Sequence, residues 1–218
     1  MMRHLFPLIL ILICSASCST LPEITPDKPD IEIIKTCTSP FLKEKYRLVH
    51  SIHAEIPGRG SASLLGVVVI DPSNEKIDAA LMTIEGLVIY SAHYDKMITI
   101  NRALPPFDSY NFAEGMIDDI KQIFLNPKGR PASAGLNKNR EDVCRYKNNN
   151  ITTDIVYNKN NGWTLNQYND KFKVIRTIHY SNEKISGLHK KITLKLLKKN
   201  GYKLLLELIK GEKLSRGH

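Results

Sequence analysis

The chain has no apolar run long enough to cross a membrane as a helix. Its greasiest stretch, Leu5 to Ile13, holds nine residues, whereas about 20 are needed to span roughly 30 Å of hydrocarbon. The motifs of common catalytic machinery are missing too. There is no H-E-x-x-H, no C-x-x-C, no G-x-S-x-G and no glycine loop of the phosphate-cradling kind. The histidines do not gather. His50 and His53 stand three apart in a segment that reads as strand, which puts them on opposite faces, and His93, His179 and His189 fall on separate elements. Asp118 and Asp119 are adjacent rather than one helical turn apart, and read as the solvated side of a helix. No repeat of solenoid period is present. These absences argue against an enzyme, and the sequence calls for no cofactor or metal. The single tryptophan, Trp163, lies in a β-like segment and reads as core.

What is present begins at the N-terminus. Arg3 and His4 precede the short apolar run, and small residues Ser15-Ala16-Ser17 lead up to Cys18. That order of charge, grease and small residues is a secretory signal. The cysteine directly after Ala-Ser resembles the lipobox of bacterial lipoproteins. By that resemblance residues 1–17 are removed and Cys18 becomes the acylated first residue, carrying palmitate-type chains that anchor it to a membrane. Two other readings stay open: Cys18 as an ordinary residue after a plain signal cut, and modification of Cys14 instead. Ser19 rather than Asp follows the cysteine, which by resemblance to sorted lipoproteins implies the outer membrane, with the domain in the periplasm. Pro22, Pro26 and Pro29 make residues 18–38 read as an extended tether. Residues 39–218 then form one domain, since about 200 residues suffice for a single core.

Cysteine is otherwise scarce. Cys37 and Cys144 alone remain after the signal and the anchor, and in an oxidising compartment such a pair is expected to bond. Charge is lopsided. The net charge is +9, and from Lys184 onward ten Lys and Arg face only Glu207 and Glu212. Lys191, Lys195, Lys199 and Lys203 mark a basic face that suits an anionic membrane or an acidic protein partner. A merely solvated lysine face explains the same residues. Nucleic acid is not expected to be met by an exported lipoprotein.

The rest of the pattern is mainly β. Segments 46–56, 62–70, 76–84, 87–94 and 97–101 read as five strands, and 143–147, 151–157, 163–168, 171–180, 190–198 and 202–210 as six more. Asn200-Gly201 is a hairpin signal of the two-residue kind. Between the two groups, Asp108 or Ser109 can cap a helix over about 108–125. Its apolar stripe, Phe112, Met116, Ile117, Ile120, Ile123 and Phe124, recurs at helical spacing. Phe112, Met116, Ile120 and Phe124 are the candidate lid. Residues 127–141 read as an exposed loop. The turns between strands read as polar, with Leu104 to Phe107 the apolar exception.

Two strands are greasy on both faces, Ser63 to Ile70 and Leu204 to Ile209. Such strands must be covered twice. A single antiparallel sheet of about eleven strands, curved into an incomplete barrel, satisfies this if one face meets the helix and the other lines a hollow. Val67, Val69, Met82, Ile84, Val88 and Ile89 are the candidate lining of that hollow. A filled core between packed sheets is the competing expectation.

A family resemblance joins these features. The run from Ser39-Pro40-Phe41-Leu42 through Gly66, Leu81-Met82-Thr83-Ile84-Glu85-Gly86, Ala103-Leu104-Pro105-Pro106 and Ile117-Asp118-Asp119-Ile120 to Asn126-Pro127 resembles a family of uncharacterised bacterial lipoproteins. Ile175-Arg176-Thr177-Ile178-His179-Tyr180 and Asn200-Gly201-Tyr202 extend the likeness. That family is similar in shape to the LolA and LolB carrier and receptor that move lipoproteins to the outer membrane. The resemblance implies an incomplete barrel with helices over a hydrophobic opening that holds acyl chains, hence a non-enzymatic lipid-binding lipoprotein. The alternative is an adaptor that uses its basic final hairpin.

Overall fold

A computed structural model describes residues 20–25, 31–58, 60–199 and 201–215. Cys18 and the signal segment lie outside the described residues, as does Asn200. A short helix α1 (Ile31–Cys37) is followed by strands β1 (Tyr46–Ile56), β2 (Gly60–Asp71), β3 (Lys76–Met82), β4 (Val88–Asp95) and β5 (Met97–Ala103). Helix α2 (Tyr110–Phe124) comes next. The second group is β6 (Ser133–Leu136), β7 (Asp142–Asn148), β8 (Ile151–Asn158), β9 (Gly162–Tyr168), β10 (Val174–Tyr180), the small pair β11 (Lys184–Ile185) and β12 (Leu188–His189), then β13 (Lys191–Leu196) and β14 (Tyr202–Lys213).

Twelve strands form one antiparallel sheet in the order β5-β4-β3-β2-β1-β14-β13-β10-β9-β8-β7-β6, and it does not close. Each half is a meander, and the first and last strands join them through ten cross-strand pairs from Tyr46–Lys213 to Glu55–Lys203. The chain therefore leaves the first half at one sheet edge, β5, and must re-enter at the other, β6. Helix α2 occupies that connection. Ser109 caps it, its hydroxyl accepting from the Phe112 amide at 3.2 Å, as its side-chain chemistry favours.

One face of the sheet is dry. Leu48, Val68, Ile70 and Ile77 from the first half share a core with Ile155, Leu165, Ile178, Ile192, Leu194, Leu206 and Leu208 from the second. Ile117, Ile120, Ile123 and Phe124 of α2 and Ile33 of α1 complete it. Alternation does the sorting: even-numbered residues of β2 point to the helices and odd-numbered ones away. A smaller cluster of Tyr90, Ala92 and Ala113 takes in Phe107, Phe112 and Met116 beneath the first turns of α2.

Four departures from the sequence reading have physical reasons. The supposed tether contains α1, and Thr25 bridges Leu136 at the β6 edge; Ile33 and Cys37 supply the apolar contacts that the preceding prolines obscured. The stretch read as loop contains β6, too short to show alternation and made a strand by pairing with β7. The final hairpin has a five-residue connection, because β13 stops at Leu196 and the Leu197 amide donates to the Ile175 carbonyl instead. Gly201 there has no positive φ; a Cβ on it would lie 2.0 Å from the Leu196 carbonyl oxygen, so close approach is what demands glycine. Lastly, the outer side of the two-sided strands carries no second layer among the described residues. Leu205 and Ile209 point outward at 36% and 56% exposure.

Cys37 and Cys144 form a disulfide with a separation of 107 residues. It ties α1 to β7 in the middle of the core, where both cysteines are fully buried. Loop closure of this length restricts the unfolded chain by about 4–5 kcal/mol in the chain-entropy account. Replacing both cysteines by alanine is expected to lower the unfolding free energy by up to that amount in urea titrations. A loss below about 1 kcal/mol would show that α1 is held by packing alone.

Candidate functional site

The inner face of the open sheet and the helix lying on it form the candidate site. Ile117, Ile120, Ile123 and Phe124 all have at most 8% exposure, so the apolar stripe of α2 packs directly on the inner face of the sheet. Burial of four such side chains is worth about 6–12 kcal/mol before ordering costs. The apolar recess beside them, lined by Phe41, Leu48, His50, Phe124, Ile192 and Leu208, measures only about 50 Å³, room for a few waters and no acyl chain.

The sequence-derived lining falls mostly elsewhere. Val67, Val69 and Met82 sit on the outer face, half-buried, one register step from the inner residues Val68, Ile70 and Leu81. Ile84 lies in the β3–β4 turn at 68% exposure. Val88 pairs with Met82, and Ile89 is the extra residue of the bulge that follows; Ile89 is buried but joins neither apolar cluster. The helix was read more closely. Ile120 and Phe124 are buried, while Phe112 and Met116 are partly buried on the smaller cluster. A one-residue slip inverts every side chain of a strand, and nothing in the sequence says which face of a two-sided strand meets the helix.

Polar groups fasten α2 in place. Asp119, read as solvated, is 5% exposed. The Tyr202 hydroxyl donates to its Oδ2, and its Oδ1 lies 3.0 Å from Arg176 Nη2 as an ion pair without hydrogen-bond alignment. The same Arg176 nitrogen donates to Asp118 Oδ2 at 2.7 Å, and Arg176 Nη1 donates to Gln167 Oε1 at 3.0 Å. Gln167 in turn donates to Gln122 on the helix at 2.7 Å, and Tyr180 donates to the Ile123 carbonyl at 2.9 Å. The Lys121 ammonium stacks 3.4 Å above the centre of the Tyr94 ring. Strands β4, β9, β10 and β14 thus all grip the last two turns of α2. Of these groups, Asp118, Lys121, Gln122, Gln167, Arg176 and Tyr94 line an open cleft of about 500 Å³ of mixed polar and apolar character, with Tyr146, Asn148 and Thr153.

Burial pushes the Asp119 carboxyl up to about 6, although Arg176 and Tyr202 oppose the rise. Burial likewise pushes His50, 3% exposed against the Phe124 ring, down to about 4. Burial and the Asp119 charge raise the Tyr202 hydroxyl, which stays protonated and able to donate. Among the described residues no group of three or more His, Cys, Asp or Glu could hold a metal, and no helix could cross a membrane. The basic-face residues Lys191, Lys195 and Lys199 are exposed, and Lys203 pairs with Glu55 at 2.8 Å.

An open antiparallel sheet with its helix inserted between the two meanders is a recognisable architecture. A crystal structure of a LolA superfamily protein from Nitrosomonas europaea superposes with a TM-score of 0.56, covering 85% of this chain and 94% of that one at 12% identity. The fold is LolA-like. A domain of Vibrio parahaemolyticus described as outer membrane lipoprotein-sorting aligns over 86% of this chain and 93% of its own, at 10% identity and a TM-score of 0.48. No family model matches the chain, and no curated protein matches its sequence. The likeness is therefore one of fold.

Two stability measurements test the fastening. Removing Arg176 strands a buried carboxylate, which costs about 3–5 kcal/mol. Arg176→Leu is expected to lose that much at pH 8, and less below about pH 6, where Asp119 takes up a proton and no longer needs the cation. A pH-independent loss would mean that packing, not charge, is what Arg176 supplies. For His50 the folded value lies below the ordinary one, so its contribution is present above pH 6.5 and lost as pH falls toward 4. Asp119, raised on folding, runs the other way, its contribution lost as pH rises from about 4 through 6. Subtracting the His50→Leu profile from that of the unaltered protein isolates the histidine. The difference is expected to change by up to about 3 kcal/mol between pH 6.5 and 4; a flat difference would contradict the burial argument.

Proposed function

We propose that the protein is a non-enzymatic lipid- or acyl-chain-binding lipoprotein of the bacterial envelope, anchored through Cys18 to the outer membrane with its domain in the periplasm. The observation that carries this reading is the helix α2 itself. It lies as a separate, amphipathic plug on the apolar inner face of a LolA-like sheet that never closes.

Energetics make exchange of the helix for a lipid feasible. A buried methylene contributes about 0.8 kcal/mol, so a chain of about 14 methylenes matches the 6–12 kcal/mol that the four anchors of α2 contribute. In this reading α2 stands where hydrocarbon would lie. The lining in this reading is Val68, Ile70, Ile178, Leu194 and Leu206 rather than the outer residues Val67 and Val69. The likeness of fold to a LolA superfamily protein supports a part in lipid or lipoprotein binding.

Uptake of a fluorescent fatty acid by the purified full chain tests the reading. Saturable uptake is expected, and Tyr202→Phe, which loosens α2 by one charge-assisted hydrogen bond, is expected to tighten apparent affinity about tenfold, the equivalent of roughly 1.4 kcal/mol. No saturable uptake by either protein, with no lipid extractable from freshly isolated material, would refute it.

A further inference from the structure

The turns between strands are less polar than their sequences suggest. Adjacent strands are antiparallel, so the β1–β2, β9–β10 and β13–β14 connections emerge at the same end of neighbouring strands; the pairs Glu55–Lys203, Leu196–Tyr202 and Arg176–Leu196 lie beside them. Four large apolar side chains stand exposed there: Ile56 at 42%, Phe172 at 43%, Val174 at 36% and Leu197 at 54%. Ile56 and Leu197 line one open depression with Lys195, Lys198 and Lys203.

Charge at this end is concentrated against the interest of folding. Lys195 and Lys203 sit directly opposite each other across β13 and β14, and like charges so placed destabilise a sheet. Glu55 pairs directly with Lys203 and acts on Lys195 only through space. Lys195, Lys198 and Lys199 are exposed and form no ion pair among the described residues. The apolar tips and the unpaired ammonium groups share one end of contiguous strands, and this combination selects the partner. An acidic protein would satisfy the lysines and leave the tips wet. An anionic bilayer takes both, because apolar side chains enter the acyl boundary while lysines reach the phosphates.

We propose that this end of the strands is a docking surface for an anionic lipid bilayer, with Ile56, Val174 and Leu197 entering the interface and Lys195, Lys198 and Lys199 held against lipid phosphates. The docking does not depend on lipid uptake by the interior, and it orients the domain in addition to any N-terminal anchor. The test uses the full chain reconstituted in vesicles of phosphatidylcholine, and in vesicles with a quarter of that lipid replaced by phosphatidylglycerol. Amide hydrogen exchange at Gly58, Lys198 and Lys199 is expected to slow about fivefold or more in the anionic vesicles, the factor that one engaged lysine supplies. Lys195→Glu with Lys199→Glu is expected to abolish the slowing, and so is Leu197→Ser, with no unfolding midpoint lowered: all three positions are exposed, and Lys195→Glu replaces a repulsion across from Lys203 by an attraction. Equal exchange in the two vesicle types would overturn the proposal. So would slowing that survives the charge reversals, or slowing produced by soluble polyglutamate and not by vesicles, which would point to an acidic protein instead.

Discussion

A sheet of twelve strands that stays open has an inner face too apolar to leave in water, and the packing of α2 onto that face is the constraint on which the rest of the structure depends. The two meanders meet only through β1 and β14, so neither half brings a second sheet to cover the other. Ile117, Ile120, Ile123 and Phe124 provide the missing layer and draw residues from both halves into one core. The topology makes this economical, because the chain has to travel from one sheet edge to the other and the helix does its covering on the way. Helix α1 and the Cys37–Cys144 disulfide close the core on the β7 and β8 side.

The fastening of that helix is polar, and this matters for what the fold can do. The apolar stripe sets which face of α2 meets the sheet, and polar contacts refine where along and across the sheet it sits. Arg176, Gln167, Tyr180 and Tyr202 reach it from three strands and fix one orientation. Buried ionic contacts of this type contribute little net stability, since desolvation offsets attraction. Their value lies in definition: they specify where α2 sits.

Much of the fold was legible because antiparallel strands with one wet face announce themselves by alternation. The segments around Leu48, Ile77, Ile155, Leu165 and Ile178 are legible from that period, and α2 from its spacing and the cap that Asp108 or Ser109 offers. Legibility failed where the period carried no information. Ser63 to Ile70 is apolar at every step, so the choice between Val67 and Val68 as inward residue was a coin toss that only the position of α2 decides. Ser133 to Leu136 is too short to show a period at all. Asp119 was misread because adjacency to Asp118 looks like a solvated face, while its partners Arg176 and Tyr202 lie 57 and 83 residues away in the chain. Long-range charge pairing leaves no local signal. Among the described residues the expected apolar hollow is not found directly beneath the stripe of α2, which packs on the sheet; the larger cleft lies beside the helix and is lined by polar and apolar groups alike.

The central claim is that α2 and a hydrocarbon chain compete for one apolar face. Electron–electron resonance distances between spin labels at Glu114, exposed on α2, and Lys195, exposed on β13, follow the helix directly. The account predicts a single distance in the lipid-free protein and a second, longer population that grows as fatty acid is added, in proportion to the amount bound. A distance distribution that stays unchanged while fatty acid binds would contradict it, because the ligand would then be housed without displacing the helix.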